Sequence, residues 1–166
     1  APPSAGILSG LQAICIGSTT TLSSSVSAGS WISSNSLIAS VNSSTGVVAG
    51  VAAGIATMTY TVVGTGGCGD ATATRTVTVT APPSAGILNG VQTVCISGTT
   101  VFSSTISGGV WTSSDNATAT INANSGVVTG VAAGTVTMTY TVAGTGGCAA
   151  VSATRTITVN PDNSVG

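Results

Sequence analysis

The chain has 166 residues, of which Asp70, Arg75, Asp115, Arg155 and Asp162 alone are formally charged, for a net charge of −1. There is no Lys, Glu or His, so the composition argues against an enzyme, a cofactor or a metal centre, which draw on those side chains. Two arginines form no basic patch for a phosphate backbone, which excludes nucleic acid as a partner.

Ser and Thr take the place of charge, with 24 Ser and 29 Thr beside 23 Gly. Every Val or Ile cluster is broken within a few positions by Thr, Ser or Gly, so no apolar run suits a bilayer helix and no membrane insertion is expected. A hydrophobic content of 42% is too high for a disordered chain. No charged segment followed by an apolar one opens the sequence at Ala1, the pattern expected of a mature product or an excised fragment.

Shifting the chain by 80 positions superimposes it on itself without a gap, with 48 identities in 80 positions, or 60%. Cys15 maps to Cys95, Trp31 to Trp111, Tyr60 to Tyr140, Cys68 to Cys148 and Arg75 to Arg155. A period of that length suits one small domain per copy rather than one turn of a solenoid. The expected domains are residues 1–80 and 81–160, with a tail over 161–166 where the repeat does not restart. Pro82 and Pro83 mark the boundary, ending the last strand of the first copy and stiffening a short linker.

Within each copy the pattern has period two. Strands are expected near 6–9, 11–16, 19–27, 29–33, 37–42, 46–51, 55–63 and 71–80, each recurring 80 residues later. In 19–27, Leu22 and Val26 share one face; in 55–63, Ala56, Met58, Tyr60 and Val62 oppose a row of Thr. In 71–80, Thr alternates with Ala73, Arg75, Val77 and Val79. β-Branched residues suit a half-buried pleated surface, and Gly-rich turns separate the runs. No stretch reads as a helix. Short antiparallel strands in this number predict a β-sandwich for each copy, with Trp31, Tyr60, Trp111 and Tyr140 in the cores.

The run Trp31-Ile32-Ser33-Ser34-Asn35, then Ala39-Ser40-Val41, then Thr45-Gly46-Val47-Val48-Ala49-Gly50-Val51-Ala52-Ala53-Gly54-Ile55-Ala56-Thr57 resembles the bacterial immunoglobulin-like domain, group 2. The second copy repeats the motif from Trp111 to Thr135. The cysteines, with Gly64-Thr65-Gly66-Gly67-Cys68 before the last strand, are similar to repeat modules of large surface proteins in gliding, Bacteroidetes-type bacteria. The resemblance implies two tandem immunoglobulin-like sandwiches, an extracellular or cell-surface location, and service as a stalk, adhesin repeat or fibre subunit. It implies no catalytic residues, and the acidic clusters that bind calcium between modules in many relatives are missing.

Four cysteines, Cys15, Cys68, Cys95 and Cys148, admit three pairings, and small domains in an oxidising compartment commonly add disulfides. Repeat symmetry favours Cys15–Cys68 and Cys95–Cys148. Against this, the turn after the first strand and the last hairpin of such a sandwich lie at opposite ends. The alternative is Cys15–Cys148, with Cys68 and Cys95 pairing to further modules. With no His and no Cys-x-x-Cys spacing, a metal site is disfavoured.

Other candidates weigh little. Gly64-Thr65-Gly66-Gly67-Cys68-Gly69 matches a dinucleotide-binding pattern by letter, but it lies between strands with no helix after it. A pairing of Asp70 with Arg75 is a candidate, yet the counterpart of Asp70 is Ala150, so it is no general device of the repeat. Arg75 and Arg155 are expected to lay their stems over the sandwich edge with their heads in water. The sequons at Asn42 and Asn116 carry little weight for a bacterial chain.

The expected function is a structural repeat of an extracellular filament or adhesin stalk that assembles with copies of itself, since its strand edges lack the charges that usually discourage pairing. A carbohydrate- or surface-binding adhesion module is the alternative. Ice binding by the Thr rows at 57–61 and 72–80, echoed at 137–141 and 154–158, is a minor one, because small sandwiches twist and flat arrays are needed.

Overall fold

The longest alternating runs become the longest strands. In the computed structural model, which describes residues 2–162, β8 (Gly54–Val62) and β9 (Ala71–Thr80) pair antiparallel over their length, from Gly54 opposite Val79 to Val62 opposite Ala71. Ala56, Met58 and Tyr60 of β8 and Val77 and Val79 of β9 turn inward and are buried, while the intervening Thr rows face out. This is the period-two reading in three dimensions.

Seven shorter strands complete the first copy: β1 (Leu8–Ser9), β2 (Ala13–Cys15), β3 (Thr19–Thr21), β4 (Ser23–Ser24), β5 (Ser30–Ser33), β6 (Ala39–Val41) and β7 (Val47–Gly50). One sheet runs β2-β9-β8-β5, a second β3-β7-β6, and β1 pairs with β4. Val48 and Ala39 of the second sheet share one core with Met58 and Val77 of the first, joined by Leu22 and Trp31. Both faces of the core are therefore apolar β-surface, which makes the unit a sandwich.

Two details depart from the expected strands. The run 19–27 breaks at Leu22, whose N–H bonds to the Gly46 carbonyl at 2.9 Å while its side chain is 1% exposed. Across that break the chain changes partner, β3 pairing with β7 and β4 with β1. Moreover, not every pair is antiparallel. The outer edge of β9 takes β2 in parallel, with Ala13 opposite Thr78, Ile14 opposite Val79 and Cys15 opposite Thr80.

The second copy repeats this plan through β10 (Leu88–Asn89), β11 (Thr93–Cys95), β12 (Thr99–Val101), β13 (Ser103–Ser104), β14 (Val110–Ser113), β15 (Ala119–Ile121), β16 (Val127–Gly130), β17 (Gly134–Val142) and β18 (Val151–Asn160). Its four-stranded sheet is β11-β18-β17-β14, again with a parallel outer pair that sets Cys95 opposite Asn160. Phe102 takes the core place of Leu22.

The chain divides into two compact units. One holds the described residues up to Pro82 together with Thr145–Cys148, and the other holds Pro83–Gly144 with the described residues from Ala149 onward. Residues 163–166 of the tail lie outside the described residues.

Candidate functional site

Inside each core sits an aromatic pair. Trp31 stands opposite Tyr60 across β5 and β8, their ring centroids 4.8 Å apart and tilted by 45°. The Tyr60 hydroxyl donates to the Val26 carbonyl at 2.9 Å and accepts from the Gly29 N–H at 2.8 Å. Gly29 has to be glycine, since a side chain there would run into the Tyr60 ring. Trp111 and Tyr140 repeat the pair at 4.8 Å, with the Tyr140 hydroxyl held by Ile106 and Gly109. All four aromatics are 4–6% exposed and serve packing, not an exposed stacking platform.

Arg75 does something its sequence context does not reveal. Rather than reaching water, its guanidinium donates from Nη1 to the Leu8 carbonyl at 3.1 Å and from Nη2 to the Gly10 carbonyl at 2.6 Å. Its Nε is enclosed without a partner. Arg155 makes the same two bonds to Leu88 and Gly90 and also stands 5.7 Å from the Phe102 ring centroid. Leu8 and Leu88 lie in the two-stranded ribbons, with Gly10 and Gly90 just past them; the ribbons have no third strand to take those carbonyls, and the fork of donors serves them instead. Nor does Asp70 reach Arg75 as the sequence suggested; it accepts a bond from the Gly64 N–H at 2.9 Å.

Asp115 closes a turn. Its carboxylate accepts from the Thr118 hydroxyl at 2.7 Å and from the Ala117 N–H at 2.9 Å. The hydroxyl bond, then the backbone bond, hold its pKa below the ordinary aspartate value. A lowered folded-state pKa stabilises above the unfolded value, so this small contribution fades as pH falls through the acid range.

The cysteines form the one covalent feature. Cys15 is bonded to Cys148, with Cα atoms 4.7 Å apart across a sequence separation of 133. Cys68 and Cys95 are free and exposed. The pairing favoured by repeat symmetry, Cys15–Cys68 with Cys95–Cys148, is therefore not the one formed. The reason lies in the parallel β2–β9 pair. Cys15 sits beside Thr80 at the end of β9, whereas Cys68 precedes the start of β9 at Ala71. At about 3.3 Å per residue, β9 keeps the two roughly 30 Å apart, and a disulfide needs Cα atoms within about 7 Å.

Around the bond, residues 145–148 lie against the end of β2 and Thr80. The Cys148 Sγ is 3.4 Å from the Thr80 carbonyl oxygen. A Cβ added to Gly147 would stand 3.0 Å from the Ala13 carbonyl oxygen and 3.2 Å from the Ile14 Cα, and one on Gly146 would strike the Thr80 side chain. Both glycines also adopt positive φ, +59° and +84°, so a side chain at either would be strained as well as crowded. Nothing in the glycine letters marks them out as a seat for another strand.

Among the described residues, no group of three or more His, Cys, Asp or Glu side chains stands together. What the arrangement offers is surface, thiols and packing.

Comparison with known proteins agrees with the architecture. The family described as Bacterial Ig-like domain (group 2) matches residues 73–153. This stretch is a bacterial Ig-like domain. The Ig-like match opens inside β9 and closes inside β18, and the 60% identity between copies carries the same sandwich to the first copy. Among solved structures, the C-terminal 282-residue fragment of intimin, in complex with the intimin-binding domain of its translocated receptor, superimposes with a TM-score of 0.52 at 18% identity. That likeness covers 94% of this chain and 64% of the intimin fragment, and it is one of fold. Surface layer protein SbsC, domains 1–6, follows at a TM-score of 0.42 and 19% identity, covering 99% of this chain and 29% of that one. BT4661, a SusE-like surface located polysaccharide binding protein from Bacteroides thetaiotaomicron, is at 0.37 and 16%, covering 93% and 34%. The Ig-like chain thus spans less than two thirds of each of these structures. No curated protein sequence matches it.

Proposed function

We propose that this chain is a structural module of an extracellular bacterial filament or stalk that joins copies of itself head to tail. The observation carrying the reading is the Cys15–Cys148 bond, which fastens the hairpin cysteine of one repeat copy to the strand-end cysteine of the copy before it. Because its two cysteines come from successive copies, Cys68 of the first copy and Cys95 of the second are left free to bond further copies. A disulfide also points to an oxidising compartment, in keeping with a cell-surface location.

The surface suits the same role. Thr72, Thr74, Thr76 and Thr78 present an exposed, uncharged row on β9, facing Thr61, Thr59 and Thr57 across the pair. These hydroxyls hydrate the strands without the charges that repel a second copy. With no His, Lys or Glu, the chemistry is that of a scaffold, and catalysis forms no part of the reading.

Negative-stain electron microscopy of the purified full chain, over a range of concentrations in oxidising buffer, tests this. Extended end-to-end particles that lengthen with concentration are expected. A compact monomer at every concentration overturns the self-assembling reading.

A further inference from the structure

We propose that residues 65–68 and the strand end at 93–95 are the two halves of one interface, each taking the complementary half of a second copy of this chain and closing on a Cys68–Cys95 disulfide. The inference rests on the filament reading and deepens it by naming the contact.

The chain contains each half twice, once filled and once open. In the filled instance, Gly146 and Gly147 press against Thr80, Ala13 and Ile14, Cys148 is bonded to Cys15, and Ile14 and Cys15 are 4% and 8% exposed. In the open instance, a Cβ added to Gly66 or Gly67 would meet nothing within 4 Å. Cys68 and Cys95 are exposed, and Val94 is only half-buried where Ile14 is buried. Equivalent residues thus differ in burial because one set is covered and the other is not.

The open hairpin already has the bound shape. Gly66 and Gly67 adopt φ of +64° and +83°, against +59° and +84° for Gly146 and Gly147. The Cys68 N–H bonds to the Thr65 carbonyl at 3.3 Å, as Cys148 does to Thr145 at 3.0 Å. Little ordering is left for the binding step, so the contact is pre-organised. On the receiving side, β11 pairs with β18 in the register that β2 keeps with β9, setting Cys95 beside Asn160 as Cys15 is set beside Thr80. Both left-handed glycines at 66–67 face open space in their own unit, and the close approach made by their counterparts gives them a use.

The bond forms by thiol–disulfide exchange with a low-molecular-weight disulfide such as oxidised glutathione. The Cys95 thiolate attacks one glutathione sulfur and releases a glutathione thiol. The Cys68 thiolate of the second copy then attacks the Cys95 sulfur of that mixed disulfide and releases the other. Two protein thiols become one disulfide, and their two electrons and two protons leave as two molecules of reduced glutathione.

The test uses the purified full chain in a glutathione redox buffer, read on non-reducing gels and by mass spectrometry of unreduced digests. Wild type is expected to give a ladder of covalent oligomers that collapses with dithiothreitol. Cys68→Ser and Cys95→Ser, both at exposed positions, are each expected to stay monomeric. Their equal mixture is expected to yield a heterodimer carrying the Cys68–Cys95 peptide. Gly66→Asn provides a second arm, because Asn tolerates the left-handed backbone. Carried by the chain that donates Cys68, it is expected to cut heterodimer yield about tenfold, the effect of losing roughly 1.4 kcal/mol of binding; carried by the chain that donates Cys95, it is expected to change nothing. Absence of a ladder, homodimers of either single variant as abundant as the heterodimer, or indifference to Gly66→Asn would overturn the interface. Filaments built equally well by the Cys68→Ser/Cys95→Ser double variant would also overturn it, while leaving the filament reading in place.

Discussion

Trp31→Ala is expected to destabilise its unit by about 3–5 kcal/mol, the usual cost of emptying a large aromatic site in a core. Trp31 is 6% exposed and packs 4.8 Å from Tyr60, which is itself anchored to Val26 and Gly29. A rigid neighbour cannot collapse into the space, so the cavity term stays large. For a unit of this size the whole stability is of order 4–12 kcal/mol, and the variant should lose a large share of it. Urea unfolding followed by circular dichroism measures the loss, with the fluorescence of Trp111, which sits in the other core, as the unperturbed reference. Trp111→Ala should cost at least as much, since Trp111 also meets Phe102 at 5.9 Å, where the first copy has Leu22.

The second large effect concerns the disulfide. Cys15→Ser is expected to lower stability by about 2–5 kcal/mol, the typical range for removal of a native disulfide. The separation of 133 residues places the chain-entropy figure at the upper end, about 5 kcal/mol. Folding of the sandwich survives, because the core around Met58 and Val77 does not depend on the bond. What is lost is the seating of residues 145–148, so Ile14 becomes half-buried as Val94 is, and Cys148 becomes a third alkylatable thiol beside Cys68 and Cys95. Unfolding midpoints with and without reductant, together with a thiol count in denaturant, measure both consequences. Equal midpoints and an unchanged thiol count would contradict the prediction.

The sandwich was legible because its signals are local. Thr alternating with Ala56, Met58 and Tyr60 reports a half-buried strand whatever surrounds it, and the Trp31-to-Thr57 motif marks an Ig-like domain. The disulfide was not legible in the same way. Cys15 to Cys68 and Cys95 to Cys148 have equal spacing, which says that the copies are alike and nothing about which strand ends meet. That depends on β2 lying parallel to β9, a long-range choice with no local signature. Arg75 shows the same divide: its inward register can be read from the alternation, but the Leu8 and Gly10 carbonyls it serves are more than sixty residues away. Ile14 and Val94 are equally apolar in sequence and differ in burial only because residues 145–148 cover one of them.

The most direct test of the account is a disulfide map of the purified, unreduced full chain by proteolysis and mass spectrometry, with free thiols blocked beforehand. A peptide pair joining Cys15 to Cys148 is expected, with no pair joining Cys15 to Cys68. Recovery of Cys15–Cys68 together with Cys95–Cys148 would show each copy closed on itself and would contradict the bond between successive copies on which the proposed assembly rests.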